Sequence, residues 1–178
     1  MVETVDVRKA RIEDAAALAE VHVRSWQAVY KGLVPQDFLD GLDPDRRRPG
    51  WERTLVATDW PRTGTLLAEI DDAVIGFANI RPSRDEDADH NEVGEVTSIY
   101  VVAQAWGSGA GRRLMAAAVE ALTDAGYSQA TLWVLDTNTR ARRFYEAGSW
   151  QPDGATKRDV TLGFPLSEVR YRTSLGGR

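Results

Sequence analysis

Hydrophobic residues recur at helical spacing in five segments of the chain, 12–30, 36–42, 45–58, 109–125 and 139–147, which are predicted to be helices. The clearest pattern is that of 109–125, where the apolar residues fall on one face, as in a well-buried helix. These residues are Leu114, Met115, Ala118, Val119, Ala121, Leu122 and Ala125. Gly126 follows them at the place where glycine commonly ends a helix.

Shorter segments rich in β-branched and aromatic residues predict seven strands. They lie around Val5 and Val7, at 65–70, 74–80, 95–102 and 130–135, near 150–151 and at 169–173. Asp71-Asp72-Ala73 predicts a tight hairpin, whereas 81–92 is charged and aperiodic and is predicted to be a loop. The order β-α-α-α-β-β-β-α-β-α-β-β indicates an α/β (α+β) fold, and a single domain is expected over residues 1–178.

Composition limits the classes of function. With 178 residues, 43% of them hydrophobic and 28% charged, the chain has the make-up of a globular protein that can bury a core. It contains no cysteine, which excludes disulfides, cysteine nucleophiles and thiolate metal sites. His22 and His90 are far apart in sequence, so no metal site is predicted.

Charge and hydropathy limit the partners. The net charge is −5, and an acidic chain lacks the basic surface that nucleic acid requires, so no nucleic-acid partner is predicted. No segment approaches the roughly 18 consecutive apolar residues of a membrane span. The N-terminus shows no apolar signal region. These observations predict a cytoplasmic protein without a membrane partner.

The most informative segment is Trp106-Gly107-Ser108-Gly109-Ala110-Gly111, between a predicted strand and a predicted helix. Glycines let backbone N–H groups approach a ligand, and the following helix N-terminus adds unpaired donors and partial positive charge. Together these features predict a cradle for a pyrophosphate. A glycine-rich turn without a ligand is the alternative, and a lone short motif does not decide between the two.

Two known phosphate loops compare differently with this segment. A Walker A loop ends in Gly-Lys-Ser/Thr, and Arg112-Arg113 occupies that place, which excludes it. A Rossmann fingerprint stays open as the second interpretation, because Asp136 follows the next strand where a ribose-binding carboxylate is commonly found. Against it, the spacing is G-x-G-x-G, the unit begins mid-chain and no further βαβ unit follows. An NAD(P)-dependent oxidoreductase is therefore the alternative function.

Two blocks of sequence resemble the GCN5-related N-acetyltransferase (GNAT) superfamily. Ile99-Tyr100-Val101, the turn at 106–111 and then Arg112-Arg113-Leu114-Met115 are similar to the family's strand, Q/R-x-x-G-x-G/A turn and helix. Residues 138–148 (NTRARRFYEAG) are similar to its N-x-x-A-x-x-x-Y-x-x-x-G block. Two blocks in the family's order are more specific than either alone. The resemblance implies a GNAT fold, with a mixed, mostly antiparallel, splayed sheet flanked by helices.

Trp106 departs from the family pattern, which has Gln or Arg at that place. If Gln104 were the motif residue, Gly111 and the helix start would be out of register, so Trp106 is interpreted as a substitution. The backbone donors of the turn depend on the glycines and survive it. Arg112 or Arg113 is expected to supply the missing side-chain contact.

The resemblance further implies that the chain binds acetyl-coenzyme A (acetyl-CoA) and transfers its acetyl group directly to an amine, without a metal. The implied cofactor-binding residues are Ile99, Tyr100, Val101, Trp106, Gly107, Ser108, Gly109, Ala110, Gly111, Arg112 and Asn138. The Val101 N–H is implied as a donor to the thioester oxygen, and Tyr145 as the general acid that protonates the departing thiolate. Glu95 matches the general base of histone-acetyltransferase-like members, with Glu92 as the alternative.

The acceptor is the least determined part of the site. In this fold the first helices line the acceptor cleft, so the resemblance implies Trp26 and Tyr30 as substrate residues, together with Trp133. His22 shares the apolar face of Leu18 and is predicted to be packed in the core. Small-molecule and protein amines both stay open as acceptors, and so does a homodimer, because dimers are common among similar proteins. A non-catalytic acyl-CoA sensor is a further alternative.

Overall fold

A computed structural model describes residues 4–176 of the chain, with helices and strands in the predicted order. The strands are β1 (Asp6–Lys9), β2 (Gly64–Ile70), β3 (Ala73–Pro82), β4 (Val93–Val101), β5 (Gln129–Leu135), β6 (Gln151–Asp159) and β7 (Leu166–Ser174). The helices are α1 (Ala15–Val29), α2 (Gln36–Asp40), α3 (Pro44–Val56), α4 (Ala110–Asp124) and α5 (Thr139–Ala147). Short 3-10 turns at Ile12–Asp14 and Ala103–Ala105 precede α1 and α4.

The seven strands form one sheet in the order β1-β2-β3-β4-β5-β7-β6. Neighbouring strands are antiparallel except β4 and β5, which run parallel. These two strands pair only at Val93↔Gln129, Gly94↔Ala130 and Glu95↔Thr131, and then part. The sheet is therefore splayed at its centre, and the remainder of β4, up to Val101, has one edge without a neighbouring strand.

Helices cover both faces of the sheet, because its strands alternate their side chains between the two faces. On one face, α4 buries Leu114 and Leu122 completely. On the other, α1 and α3 bury Leu18 and Trp51 against Phe77 of β3. Full burial of such a side chain contributes about 1.5–3 kcal/mol. These two layers hold the splayed centre of the sheet in place.

The close contact between α4 and the sheet depends on a glycine. A Cβ at Gly94 of β4 would lie 2.6 Å from Cδ2 of Leu122 and 3.0 Å from Cδ2 of Tyr127. A side chain there would push α4 away from the sheet beside the last paired residues of β4 and β5. Gly94 thus lets α4 pack where the splay begins.

Three strand predictions were too short, and one of these strands, β7, begins at Leu166 instead of at residue 169. β3 continues to Pro82, into the segment predicted to be a loop, and β6 covers Gln151–Asp159 instead of ending near residue 151. β6 is an outer strand with mostly exposed side chains, so it lacks the apolar alternation that predicts a half-buried strand. Its register against β7 also shifts between Pro152 and Thr156, which interrupts any regular pattern.

Candidate active site

The gap between the diverging ends of β4 and β5 opens into a cleft of about 700 Å³. Its walls come from the end of α1, from the strands β3, β4, β5, β7 and β6, from the turn before α4 and from α5. Most predicted site residues line it, namely Tyr30, Glu95, Ile99, Tyr100, Val101, Trp106, Gly107, Gly109, Ala110, Gly111, Arg112, Trp133, Asn138 and Tyr145. Two predicted residues, Trp26 and Ser108, lie outside the lining.

The turn between β4 and α4 presents unpaired backbone donors. Gly107 and Gly109 have φ angles of 84° and 88°, a left-handed conformation that strains other residues. Gly109 is the N-cap of α4, and the first N–H groups of a helix have no intrahelical partner. Within residues 4–176, the N–H groups of Gly107, Gly109, Gly111 and Arg112 have no protein acceptor. Together with the positive end of α4, these donors form a site suited to an anion.

The free edge of β4 presents further backbone groups. Val102 donates its N–H to the carbonyl of Ile75 on β3, at 2.9 Å. Because successive residues of an antiparallel strand face opposite edges, the N–H groups of Ile99 and Val101 point into the gap left by β5. The Val101 N–H, implied as a donor to the thioester oxygen, therefore faces the gap and has no strand partner there within residues 4–176.

Trp106 connects two walls of the cleft. Its indole N–H donates to the carbonyl of Val101 at the end of β4, at 2.9 Å. The guanidinium of Arg140, on α5, covers the ring at 3.3 Å from its centroid. Arg113 points elsewhere and donates to the carbonyl of Val5 at 3.0 Å, so of the two arginines expected to compensate for Trp106 only Arg112 lines the cleft. Arg140 joins it there.

Helix α5 contributes Asn138 and Tyr145, which are both buried and line the cleft. Asn138 is the N-cap of the helix, and its Oδ1 accepts from the N–H of Ala141 at 3.2 Å. Burial, assisted by the nearby Tyr30, raises the pKa of Tyr145 above its ordinary value. The hydroxyl of Tyr145 therefore keeps its proton at neutral pH, which is the form that a general acid needs.

Glu95 lies on β4 at the last pair before β4 and β5 part, and only 6% of it is exposed. Burial raises the pKa of Glu95, while the charge of Arg81 on β3 opposes the rise. The Nε of Arg81 lies 3.5 Å from Oε2 of Glu95. A carboxylate with a raised pKa is suited to accept a proton near neutral pH. Glu92, the alternative base, is exposed and accepts instead from the hydroxyl of Ser128 at 2.9 Å.

The sequence matches one family of known proteins. Residues 26–148 match the model of the acetyltransferase (GNAT) family. The chain belongs to the GNAT family. The uncharacterized N-acetyltransferase YuaI of Bacillus subtilis is 31% identical over 170 residues, which cover 90% of this chain and 93% of YuaI. An uncharacterized N-acetyltransferase of Archaeoglobus fulgidus is 30% identical over 79% of this chain and 89% of that protein. Membership confirms the predicted family and the acyltransferase class.

Solved structures share the GNAT fold. yncA from Salmonella typhimurium, solved with its cofactor acetyl-CoA, has a TM-score of 0.71 at 21% identity, covering 98% of this chain and 96% of that chain. The PaiA N-acetyltransferase from Thermoplasma acidophilum, in complex with coenzyme A, has a TM-score of 0.68 at 20% identity, covering 96% and 99%. The predicted splayed, mostly antiparallel sheet is thereby confirmed. The Rossmann interpretation was wrong, because a Rossmann sheet is mainly parallel and here only β4 and β5 are.

Several residues singled out in the sequence lie away from the GNAT cleft. Trp26 packs between His22 and Tyr30, with ring centroids 5.4 and 4.9 Å away. His22 is packed as expected, and its burial lowers its pKa to about 4. The hydroxyl of Ser108 is turned back to accept from the N–H of Ala110 at 3.2 Å. Gln104, the rejected motif residue, accepts from Arg24 of α1 at 3.1 Å.

Five charged residues of the cleft were missed by the sequence analysis, namely Arg81, Arg140, Lys157, Asp159 and Glu168. Arg81 lay in a segment predicted to be a loop, and Lys157 and Glu168 lay beyond the predicted ends of their strands. Correct strand bounds would have included both residues, but the register that pairs Lys157 with Glu168 does not follow from side-chain alternation. Arg140 lies in the second GNAT block, but its contact with Trp106 crosses between distant segments.

Arg170 of β7 binds the charged segment after β3, which contains Asp85 and Asp87, to the sheet through ion pairs. It is 5% exposed and forms ion pairs with Asp85 at 3.1 Å, with Asp87 at 2.7 Å and with Asp153 at 2.7 Å. Asp85 also accepts from the indole N–H of Trp133 at 3.1 Å. This network holds Trp133 in the wall of the cleft.

Within residues 4–176, no group of three or more histidine, cysteine or acidic side chains is arranged to hold a metal ion. In the same part of the chain, none of the helices has both the length and the apolar character needed to cross a membrane.

Proposed function

We propose that the chain transfers the acetyl group of acetyl-CoA directly to a primary amine bound in the cleft. The observation that carries this proposal is the convergence of three features on one cavity. These are the free N–H groups of the turn and of the β4 edge, the protonated hydroxyl of Tyr145, and the buried carboxyl of Glu95. Acyl transfer to an amine requires donors that hold the acyl carrier and its carbonyl oxygen, an acid for the departing sulfur and a base for the amine, and the three features meet these requirements in that order.

The residues present fit acetyl-CoA as the donor substrate. Gly107, Gly109 and Gly111 would hold its diphosphate through their N–H groups, with positive charge from Arg112 and Arg140. Its extended arm would lie along the free edge of β4, where backbone groups replace the bonds of a neighbouring strand. The side-chain amide of Asn138, whose Oδ1 caps α5, is in reach of the same cleft.

The chain's own side chains account for both protons of the reaction. An acceptor that arrives as an ammonium ion gives one proton to Glu95, directly or through water, and its nitrogen then attacks the thioester carbon. The Val101 N–H stabilises the negative charge that develops on the carbonyl oxygen. As the carbon–sulfur bond breaks, Tyr145 donates its proton to the sulfur and recovers one from the acylated nitrogen. The products are an N-acetylated amine, coenzyme A and protonated Glu95.

A thiol-release assay with acetyl-CoA and a library of amines tests this proposal. Tyr145→Phe is expected to lower kcat by about 100-fold or more, since general acid catalysis typically contributes 10²–10⁴-fold. Its Kd for coenzyme A, measured by calorimetry, should not change. Tyr127→Phe is the matched control, because Tyr127 is buried against α4 and its hydroxyl has no partner within residues 4–176.

Two outcomes would contradict the proposal. Equal turnover by Tyr145→Phe and the wild type would remove Tyr145 from the mechanism. Tight binding of acetyl-CoA without thiol release toward any amine would favour a non-catalytic sensor. The homodimer, the cytoplasmic location and the single domain over residues 1–178 stay predictions.

A further inference from the structure

Two ion pairs with long nitrogen–oxygen distances lie at one end of the cleft. Arg81 Nε lies 3.5 Å from Oε2 of Glu95, and Lys157 Nζ lies 3.5 Å from Oε2 of Glu168. Charge-assisted hydrogen bonds usually measure about 2.7–2.9 Å. All four side chains line the cleft. Each pair therefore retains the capacity to bind another charged group.

The register of the sheet places both pairs on one face. Glu95 lies opposite Arg81 on β3 and opposite Thr131 on β5. Glu168 lies opposite Lys157 on β6 and opposite Leu135 on β5. Thr131 and Leu135 are four positions apart, so their side chains share a face of β5. Leu132 and Val134 of β5 point the other way and pack in the core cluster with α4, which leaves both ion pairs on the face opposite that helix.

Polar groups around the Arg81–Glu95 pair lack partners. Arg81 Nε and the hydroxyl of Thr131 are buried atoms without a hydrogen-bond partner within residues 4–176. Buried polar atoms are nearly always paired in native proteins, and Arg81 lines the cleft, so its unpaired Nε indicates a ligand there. Asp159, a further acid at this end, is already engaged, since its Oδ1 accepts from the N–H of Thr161 at 2.8 Å. Two cations and two carboxylates are left to meet a ligand.

We infer that this end of the cleft binds a zwitterion, so that the acceptor is a small amine that also carries a carboxylate, as an α-amino acid does. Its ammonium group faces Glu95 and Glu168, and its carboxylate faces Arg81 and Lys157. A polycation would meet the carboxylates of Glu95 and Glu168 but would offer no anionic partner to Arg81 or Lys157. An uncharged amine would leave Arg81 without a partner. This inference rests on the proposed function, because it names the acceptor class of the same cleft.

Matched sets of acceptors test the inference. Each set contains an amino acid, its methyl ester and the amine formed by its decarboxylation, and kcat/KM is measured by thiol release. We expect the amino acid of at least one set to exceed its ester and its decarboxylated amine by tenfold or more. Esters or decarboxylated amines that match or exceed every amino acid would overturn the inference while leaving acetyl transfer intact.

Lys157→Gln isolates the contact with the carboxylate. We expect it to raise KM for the amino acid about tenfold while changing neither KM for the methyl ester nor Kd for coenzyme A. Arg158→Gln is the matched control, since Arg158 is the next residue of β6, points to the other face and lies outside the cleft lining. A KM for the amino acid that is unchanged in Lys157→Gln would refute the assignment.

Calorimetry separates a failure of this inference from a failure of the proposed function. The same amino acids are titrated into protein saturated with coenzyme A, where no transfer takes place. Amino-acid binding that Lys157→Gln weakens and Arg158→Gln preserves supports the zwitterion site even if no acceptor is acetylated. Thiol release with amines, combined with the absence of such binding, supports the transferase and rejects the zwitterion site.

Discussion

The guanidinium of Arg140 lies 3.3 Å from the centroid of the Trp106 ring and joins α5 to the turn before α4 across the mouth of the cleft. The indole N–H of Trp106 also donates a hydrogen bond to the carbonyl of Val101. The Trp106 side chain therefore contacts both the end of β4 and the guanidinium of Arg140. A cation over an indole ring is stabilised by about 0.5–2 kcal/mol, depending on desolvation. The family's Gln or Arg at this position is thus replaced by an aromatic platform whose charge comes from another helix.

Arg140→Gln should weaken the binding of coenzyme A about tenfold, since hydrogen bonds to charged groups contribute about 1.5–3 kcal/mol. Calorimetry at low and high salt checks this, because the variant should also show a smaller dependence of Kd on salt. Arg143→Gln is the control, since Arg143 is an exposed residue of the same helix outside the cleft lining. An equal loss of affinity in both variants would assign the effect to general charge instead of to Arg140.

Gly109→Ala should both destabilise the protein and weaken its binding of coenzyme A. An alanine forced to a φ of 88° costs about 1–2 kcal/mol, and relaxation of that strain would turn the backbone donors of the turn away from the cleft. Gly163→Ala, in the β6–β7 loop, is the control because Gly163 has a φ of 90° with open space around it. Urea unfolding should show similar losses of stability for both, whereas calorimetry should show weaker coenzyme A binding only for Gly109→Ala.

The dependence of kcat/KM on pH should report the ionisation of Glu95. The rate is expected to rise with pH through the raised pKa of Glu95, because only the carboxylate accepts a proton. Arg81→Gln removes the charge that lowers this pKa, so the acidic limb of the profile should move to higher pH. Glu95→Gln should abolish that limb, and Glu92→Gln should leave it in place. If instead Glu92→Gln abolished the acidic limb and Glu95→Gln left it in place, Glu92 would be the base.

Arg170→Met should lower the free energy of unfolding by about 1–3 kcal/mol, because it removes a buried cation and leaves the partly exposed carboxylates of Asp85 and Asp153 without their partner. The hydrogen bond from Arg170 lowers the pKa of Asp87 to about 2. The pKa of Asp153 is also lowered, by hydrogen bonds from the Ala155 N–H and from Arg170. Their contribution is therefore present above the unfolded pKa of about 3.9 and is lost as pH falls toward 2. Urea unfolding at pH 7 and pH 3 checks both effects. Arg172→Met, which shares only Asp153, should cost less.

The parts of the site that depend on local backbone chemistry could be predicted from the sequence. The unpaired N–H donors of the turn could be predicted from glycines at positions 107, 109 and 111 at the start of a helix. All of that information lies in the six consecutive residues 106–111. Asn138 and Tyr145 are similarly fixed by their spacing along a single helix. Fold and cofactor cleft could be predicted together because both depend on these two segments.

The acceptor end could not be predicted, because it is assembled by pairing between strands. Lys157 and Glu168 meet only through the register of β6 on β7, and an exposed outer strand gives no apolar pattern from which that register follows. Trp26 was placed in the cleft because helical spacing alone does not tell which side of α1 faces the ligand. It packs instead among aromatic rings beside Tyr30, although Ala28, only two residues later, lines the cleft.

The parting of β4 from β5 after Glu95↔Thr131 gives this protein a sheet edge in its interior. Exposed edges at the rim of a sheet recruit foreign strands and promote aggregation. Here the unpaired stretch up to Val101 lies between helix-covered faces, where an approaching polypeptide with its side chains has little room. An edge of this kind keeps strand-like backbone bonding available to an extended ligand inside the cleft, while it is set back from the rim where foreign strands pair.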